Sequence, residues 1–320
     1  MVTKVSSRLP YLASSLIIAL LFSGAYQVIQ ANQATPVVTE GSTMSFQEKT
    51  ALFNYDNKAD LGVKEIGVKK QGTVSIHDIT FAPIPRKDPV NAYLVVPAGN
   101  GSFAGILWIH WLGDASTTNR TEFLDEAISL ASKGTVSLLV DAMWSAPGWY
   151  ENRVLEQDYQ KSIEQVIALR RAMDLLTSQK NVDSTRIGYV GHDYGAMYGT
   201  LMAGVDPRAR TYVFIAAVPS LNDWAFFAAK PKSMDDYLKQ MSALQLTDYI
   251  QQVKGASILF QDGNPDQYVS QSQAEAFFAA ANPTKEIKIY DGVGHAMDSK
   301  KIMTDRDDWL TSELSLGTKP

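Results

Sequence analysis

The strongest constraint on what this chain can fold into is an alternation that begins near Thr73, where short β-branched runs are separated by longer segments with helical spacing. Strands that are apolar along their whole length have no wet face. They must be covered on both sides, and the helices between them are the crossovers that parallel pairing requires. The runs fall at 74–81, 92–96, 104–109, 135–140, 186–190, 212–217, 256–260 and 286–290. Between them, Phe123, Leu124, Ala127, Ile128 and Ala131 share a helix face within 121–132, as do Ile163, Val166, Ile167, Leu169 and Leu175 within 159–177. The expectation is an α/β chain with a mostly parallel central sheet flanked by helices. Segment 218–255 is longer than a plain crossover and carries Trp224, Phe226, Phe227, Tyr237 and Tyr249, which predicts a small lid.

Charge and composition narrow the function. Lys and Arg total 29 against 34 Asp and Glu, a net charge of -5 with no dense basic run, so the electrostatic footprint of a nucleic-acid binder is missing. Cysteine is absent, which removes a disulfide framework, a thiolate metal site and a cysteine nucleophile together. No His-rich spacing suggests zinc, and the pairs Asp235-Asp236 and Asp307-Asp308 read as solvated helix faces, so neither metal nor organic cofactor is expected. At the N-terminus, Lys4 and Arg8 precede an apolar stretch over 12–28 followed by small residues, the pattern of an export signal. Its uninterrupted apolar core is shorter than the ~20 residues of a comfortable membrane span, which favours a cleaved signal over an uncleaved anchor. The chain then divides into a signal or anchor (1–34), a linker or N-terminal arm (35–72) and a main domain (73–320) of an exported protein.

One segment carries chemistry. The strand at 186–190 runs into Gly191-His192-Asp193-Tyr194-Gly195-Ala196 and then into a helix-compatible stretch. A strand, a sharp turn of the form Gly-x-nucleophile-x-Gly and a helix make a nucleophile elbow, in which flanking glycines let strand and helix approach without a clashing Cβ. The central residue is Asp193, and the N–H groups of the following helix favour an ionised carboxylate there.

On these residues the sequence resembles the α/β-hydrolase superfamily, over roughly 92–310, and within it the dienelactone-hydrolase-like branch. The resemblance implies the chain order nucleophile, acid, histidine. The acid is then Asp266, in the loop Asp262-Gly263-Asn264-Pro265-Asp266, with Asp262 as its competitor, and the base is His295, after Asp291-Gly292-Val293-Gly294. An oxyanion hole is implied from the N–H of Tyr194 and from the loop His110-Trp111-Leu112-Gly113-Asp114, where Trp111 or Leu112 offers the second donor. Trp111 stands where that superfamily commonly has glycine. Most dienelactone-hydrolase-like proteins carry Cys or Ser in the elbow, whereas Asp is the residue of haloalkane dehalogenases and epoxide hydrolases. A carboxylate is already ionised near neutral pH and needs no base to attack, so the implied chemistry is displacement at carbon to give an aspartyl ester, which His295 then hydrolyses.

Against these readings stand blander ones. His77 reads as a surface histidine, His110 as a loop support and His192 as a packing or orienting residue. Trp144, Trp149, Tyr150 and Trp224 are expected around a pocket for a small, largely apolar substrate, although ordinary packing accounts for such rings equally well. Tyr194 stands where halide-releasing relatives have Trp, and Tyr237 or Tyr249 is a phenol that epoxide opening would need in the lid. Two alternatives to an aspartyl-ester enzyme remain: a carboxylic-ester hydrolase, and an exported binding protein on a retired hydrolase scaffold.

Overall fold

The computed structural model describes residues 43–282 and 284–317. The expected signal or anchor over 1–34 lies outside them. Nine strands form one sheet: β1 (Lys64–Gln71), β2 (Val74–Phe81), β3 (Val90–Val96), β4 (Phe103–Ile109), β5 (Thr135–Val140), β6 (Val182–His192), β7 (Thr211–Ile215), β8 (Ser257–Asn264) and β9 (Thr284–Asp291). Their spatial order is β1-β2-β3-β5-β4-β6-β7-β8-β9. The pairs β1 with β2, β2 with β3 and β3 with β5 are antiparallel, and every pair from β5 to β9 is parallel. The sheet is therefore mixed, with the expected parallel half and an antiparallel N-terminal edge.

Burial follows this division. β4 is buried from Ala104 to Ile109, and β5 and β7 are buried throughout, as strands covered on both faces must be. β2 instead buries Val74, Ile76, Ile79 and Phe81 and leaves the residues between them partly wet. β1 is exposed along its whole length. It joins the sheet through backbone pairing to β2, so its side chains carry no alternation. The arm over 35–72 thus supplies β1, and also helix α1 (Phe46–Ala51), capped at Ser45 by a reciprocal Ser45 and Glu48 box.

The covering helices are α2 (Leu124–Ala131), α3 (Trp149–Asn152), α4 (Asp158–Thr177), α5 (Tyr194–Val205), α6 (Met234–Met241), α7 (Leu246–Ile250), α8 (Gln271–Ala280) and α9 (Lys300–Glu313). No helix among the described residues is long and apolar enough to cross a membrane. Segment 218–255 divides in two. Its first part, with Trp224 and α6, lies toward the elbow, whereas α7 packs on α5 with Tyr249 fully buried against the edges of Phe46 and Phe53. α7 therefore belongs to the helical layer. The other layer is tied at Arg306 of α9, whose guanidinium, 2 % exposed, holds Glu126 of α2 and Gln261 of β8.

Candidate active site

β6 ends at His192 and α5 begins at Tyr194, so Asp193 alone makes the turn between them. Its backbone lies at φ 57° and ψ -120°, a conformation that non-glycine residues rarely adopt and that points its carboxylate out of the strand end. Glycine on either side is a steric requirement. A Cβ at Gly191 would overlap the Gly195 carbonyl, and one at Gly195 would overlap the Ile109 carbonyl of β4. The elbow is pressed against its neighbouring strand, which is why the sequence spells Gly-x-Asp-x-Gly here.

The structure brings the three residues expected from the chain order to one point. His295 Nε2 lies 2.9 Å from Asp193 Oδ2, and His295 Nδ1 lies 2.8 Å from Asp266 Oδ2. The other oxygen of Asp266 accepts the N–H groups of Tyr268 and Val269, which fixes the carboxylate in the loop after β8. Asp262 does not take this place. It is buried at the end of β8, pushed up to about 8 by burial and by the charge of Asp266, and so is a neutral acid near pH 7. Burial pulls the His295 imidazole down, but its hydrogen bonds to Asp193 and Asp266 outweigh this and carry it up to about 9. Burial pushes the Asp193 carboxyl up, against the opposing pull of His295. The aspartates on either side thus favour the imidazolium form of His295.

The expected oxyanion donors are placed differently from one another. Tyr194 N–H donates to Oδ1 of Asp193 itself. Trp111 N–H donates to Glu122 Oε2 at 2.8 Å, so it does not stand free for a substrate oxygen. Leu112 is half-buried on the same loop and packs against the core. Glu122 carried no mark in the sequence, where it reads as one more polar position just ahead of α2. Its second oxygen lies 2.6 Å from His192 Nδ1, and His192 Nε2 donates to the His295 carbonyl at 2.9 Å.

Aromatic rings surround His295. The rings of Trp111, Trp224, Tyr268 and His192 have centroids 5.0 to 5.8 Å from that of His295. Together these rings box in the imidazole, which is buried. Tyr268 belongs to this box and was not singled out in the sequence. Of the rings expected at a pocket, Trp149 and Trp224 flank Tyr194 edge-on, and Tyr150 donates its hydroxyl to the Trp224 carbonyl. Trp144 is 1 % exposed, stacked on Tyr198, with its indole N–H on the His110 carbonyl, so it underlies the site. Beside Tyr194 a cavity of about 20 Å³, room for roughly one water molecule, is bounded by Trp149, Arg153, Asp158, Tyr198 and Tyr237.

The remaining candidates have structural partners. His110 accepts from the Ala142 N–H through Nε2, which leaves Nδ1 protonated toward the Trp111 carbonyl, and burial lowers its proton affinity. His77 pairs with Glu65 on the exposed edge of the sheet. The hydroxyls of Tyr237 and Tyr249 are engaged with Asp158 and the Ala243 carbonyl. Among the described residues no group of His, Asp and Glu side chains converges as a metal ligand set.

No protein-family model matches the chain, and no curated protein matches it in sequence. Solved structures do. Acetyl xylan esterase 1 from Thermoanaerobacterium sp. superposes with a TM-score of 0.70 at 16% identity, covering 90% of this chain and 98% of its own. An acetyl xylan esterase from Paenibacillus sp. R4 gives 0.68 at 16% identity over 86% and 97%. The esterase domain of a Rhodothermus marinus protein gives 0.55 at 17% identity over 76% and 100%. At such identities the likeness is one of architecture, and together with the strand order and the elbow it establishes that this chain has the α/β-hydrolase fold.

Proposed function

We propose that this protein is a hydrolase in which Asp193 is the nucleophile, His295 the base and Asp266 its orienting acid, working on a small, largely apolar substrate through a covalent aspartyl ester. The observation that carries the reading is the Tyr194 N–H on Asp193 Oδ1. In an aspartyl-ester mechanism the developing oxyanion is an oxygen of the aspartate itself, so a donor already on Oδ1 stands where charge forms. In a mechanism whose oxyanion belongs to the substrate, that donor would have to leave Asp193.

The steps balance as follows. Asp193 Oδ2 attacks carbon, the bond to the leaving group breaks with its electron pair, and an ester forms. Water then adds to Cγ of Asp193 as His295 Nε2 takes its proton, and Oδ1 becomes the oxyanion at Tyr194 N–H. Collapse expels the substrate alkoxide, which takes the proton from His295, and the restored Asp193 carboxyl passes its own proton to His295, which regains the resting imidazolium. Esterification also prepares the base. It cancels one of the two carboxylate charges that hold His295 protonated, so the imidazolium releases its proton to solvent before water attacks.

A second reading is hydrolysis of carboxylic esters, favoured by the names of the structural neighbours, which include acetyl xylan esterases. Attack by Asp193 on an acyl carbon would give a mixed anhydride in place of an ester. Intact-mass spectrometry of His295→Ala after incubation with p-nitrophenyl acetate, styrene oxide or bromohexane separates the two. An alkyl adduct mapped to Asp193 is the expected result. An acetyl adduct at Asp193 favours the second reading, and the absence of any adduct alongside turnover by the unmodified protein overturns the role of Asp193.

A further inference from the structure

We infer that Glu122 and His192 form a buried brace that positions the base, with Glu122 acting as a positioning residue for the site proposed above. Three hydrogen bonds make it. Glu122 Oε2 holds the Trp111 N–H at 2.8 Å, Glu122 Oε1 lies 2.6 Å from His192 Nδ1, and His192 Nε2 reaches the His295 carbonyl at 2.9 Å. The carbonyl can only accept, so Nε2 carries a hydrogen, and a second proton has to sit between Nδ1 and Oε1. A charge-assisted contact of this kind is shorter and stronger than a neutral one and fixes direction as well as distance.

Packing alone does not hold the imidazole of His192. The Trp111 indole stacks on it at 5.3 Å with the planes 12° apart. Toward α9 lies a cavity of about 80 Å³ bounded in part by Glu122, His192, Met297 and Arg306. With a void on that side, the position of His192 is set by what it bonds to. His192 is in turn the side chain that takes up the His295 carbonyl. The brace thus ties the loop after β4 to the loop that carries the base, and it sets the height of the His295 ring over Asp193. It also explains why Trp111 sits where a glycine would serve: its ring stacks on His192 while its N–H is drawn to Glu122.

The test uses Glu122→Ala, Glu122→Gln and His192→Phe in the full chain. Removing the carboxylate next to an existing void leaves the fold able to form, which a cooperative melt checks. Ring N–H signals of His295 and His192, read by proton and nitrogen magnetic resonance, need no substrate. In the unmodified protein the proton shared by His192 and Glu122 should give a far-downfield resonance. In Glu122→Ala the ring signals of His295 should shift, and Glu122→Gln, whose oxygen accepts from Trp111 and whose amide donates to His192 Nδ1, should restore them. His192→Phe keeps the stack but loses the bonds, and should reproduce Glu122→Ala. The kinetic arm rests on the proposed function: kcat toward whichever probe labels Asp193 should fall about 100-fold in Glu122→Ala with KM within about threefold, the scale of an ångström of misplacement. Unchanged His295 signals in both Glu122→Ala and His192→Phe overturn the brace, as does a Glu122→Gln variant as damaged as Glu122→Ala. Failure of every probe to label Asp193 counts against the hydrolase reading, and the resonance arm still decides the brace.

Discussion

Tyr194 donates its backbone N–H to the carboxylate of Asp193, the residue immediately before it in the chain. This is possible because Asp193 has a positive φ that folds its side chain back over the first turn of α5. Asp193→Asn keeps the shape and loses the proposed nucleophile, and activity should fall by about 10⁴-fold or more, a scale seen when a catalytic nucleophile is removed. Asp193→Ser should do something different. It frees the Tyr194 N–H for a substrate oxygen while His295 and Asp266 stay in place, so a burst of nitrophenol from p-nitrophenyl acetate, with an acetyl adduct at position 193, is the expected result. A burst-free Asp193→Ser with intact fold would show that the donor alone does not make an oxyanion hole.

Asp266 touches His295 and is itself held by two backbone N–H groups. Asp266→Asn should preserve the loop and weaken the base, lowering kcat by about 10³- to 10⁴-fold, the scale for loss of an orienting carboxylate. Asp262→Asn, by contrast, changes a neutral acid for a neutral amide and should leave kcat near its original value. Steady-state kinetics of the pair decides which aspartate orients the base.

The two carboxylates beside His295 also make stability depend on pH. Its folded value of about 9 lies above the ~6.5 of an unfolded histidine. A group whose folded value is raised stabilises fully below its unfolded value and loses that contribution as pH rises through the folded one. Thermal melts of the unmodified protein should therefore fall more steeply between about pH 6.5 and 9 than those of His295→Gln. Parallel curves for the two proteins would mean that the imidazole is not held charged.

Arg306 is another buried charge, 2 % exposed and bonded to both oxygens of Glu126 and to Gln261. Arg306→Met leaves the Glu126 carboxylate with no partner in a nearly dry site. A loss of about 3 to 5 kcal/mol is expected from breaking one side of such a pair, read as a shift of the urea midpoint. A double variant, Arg306→Met with Glu126→Leu, should recover much of it.

Much of the candidate site was legible in the chain because its geometry is local. Gly191, Asp193 and Gly195 announce the elbow through backbone sterics that act over five residues, and the runs at 104–109 and 135–140 are apolar throughout because a doubly covered strand has no polar face. The loops bearing Asp266 and His295 follow strands in the order that the resemblance implied. β1 stayed hidden because an exposed edge strand needs only its backbone, and no side-chain pattern marks it. Glu122 and Tyr268 stayed hidden for a different reason. Glu122 is 70 residues from His192, and Tyr268 is an ordinary loop residue until its ring meets His295. The sequence alone determined the layered α/β architecture and the elbow, since these follow from periodicity and from glycine, and it marked Asp193, Asp266 and His295 as candidates. Only the tertiary structure decided which aspartate faces His295, where the Trp111 N–H points and how charge is shared among buried groups, because those depend on distances between segments that meet only after the sheet has formed.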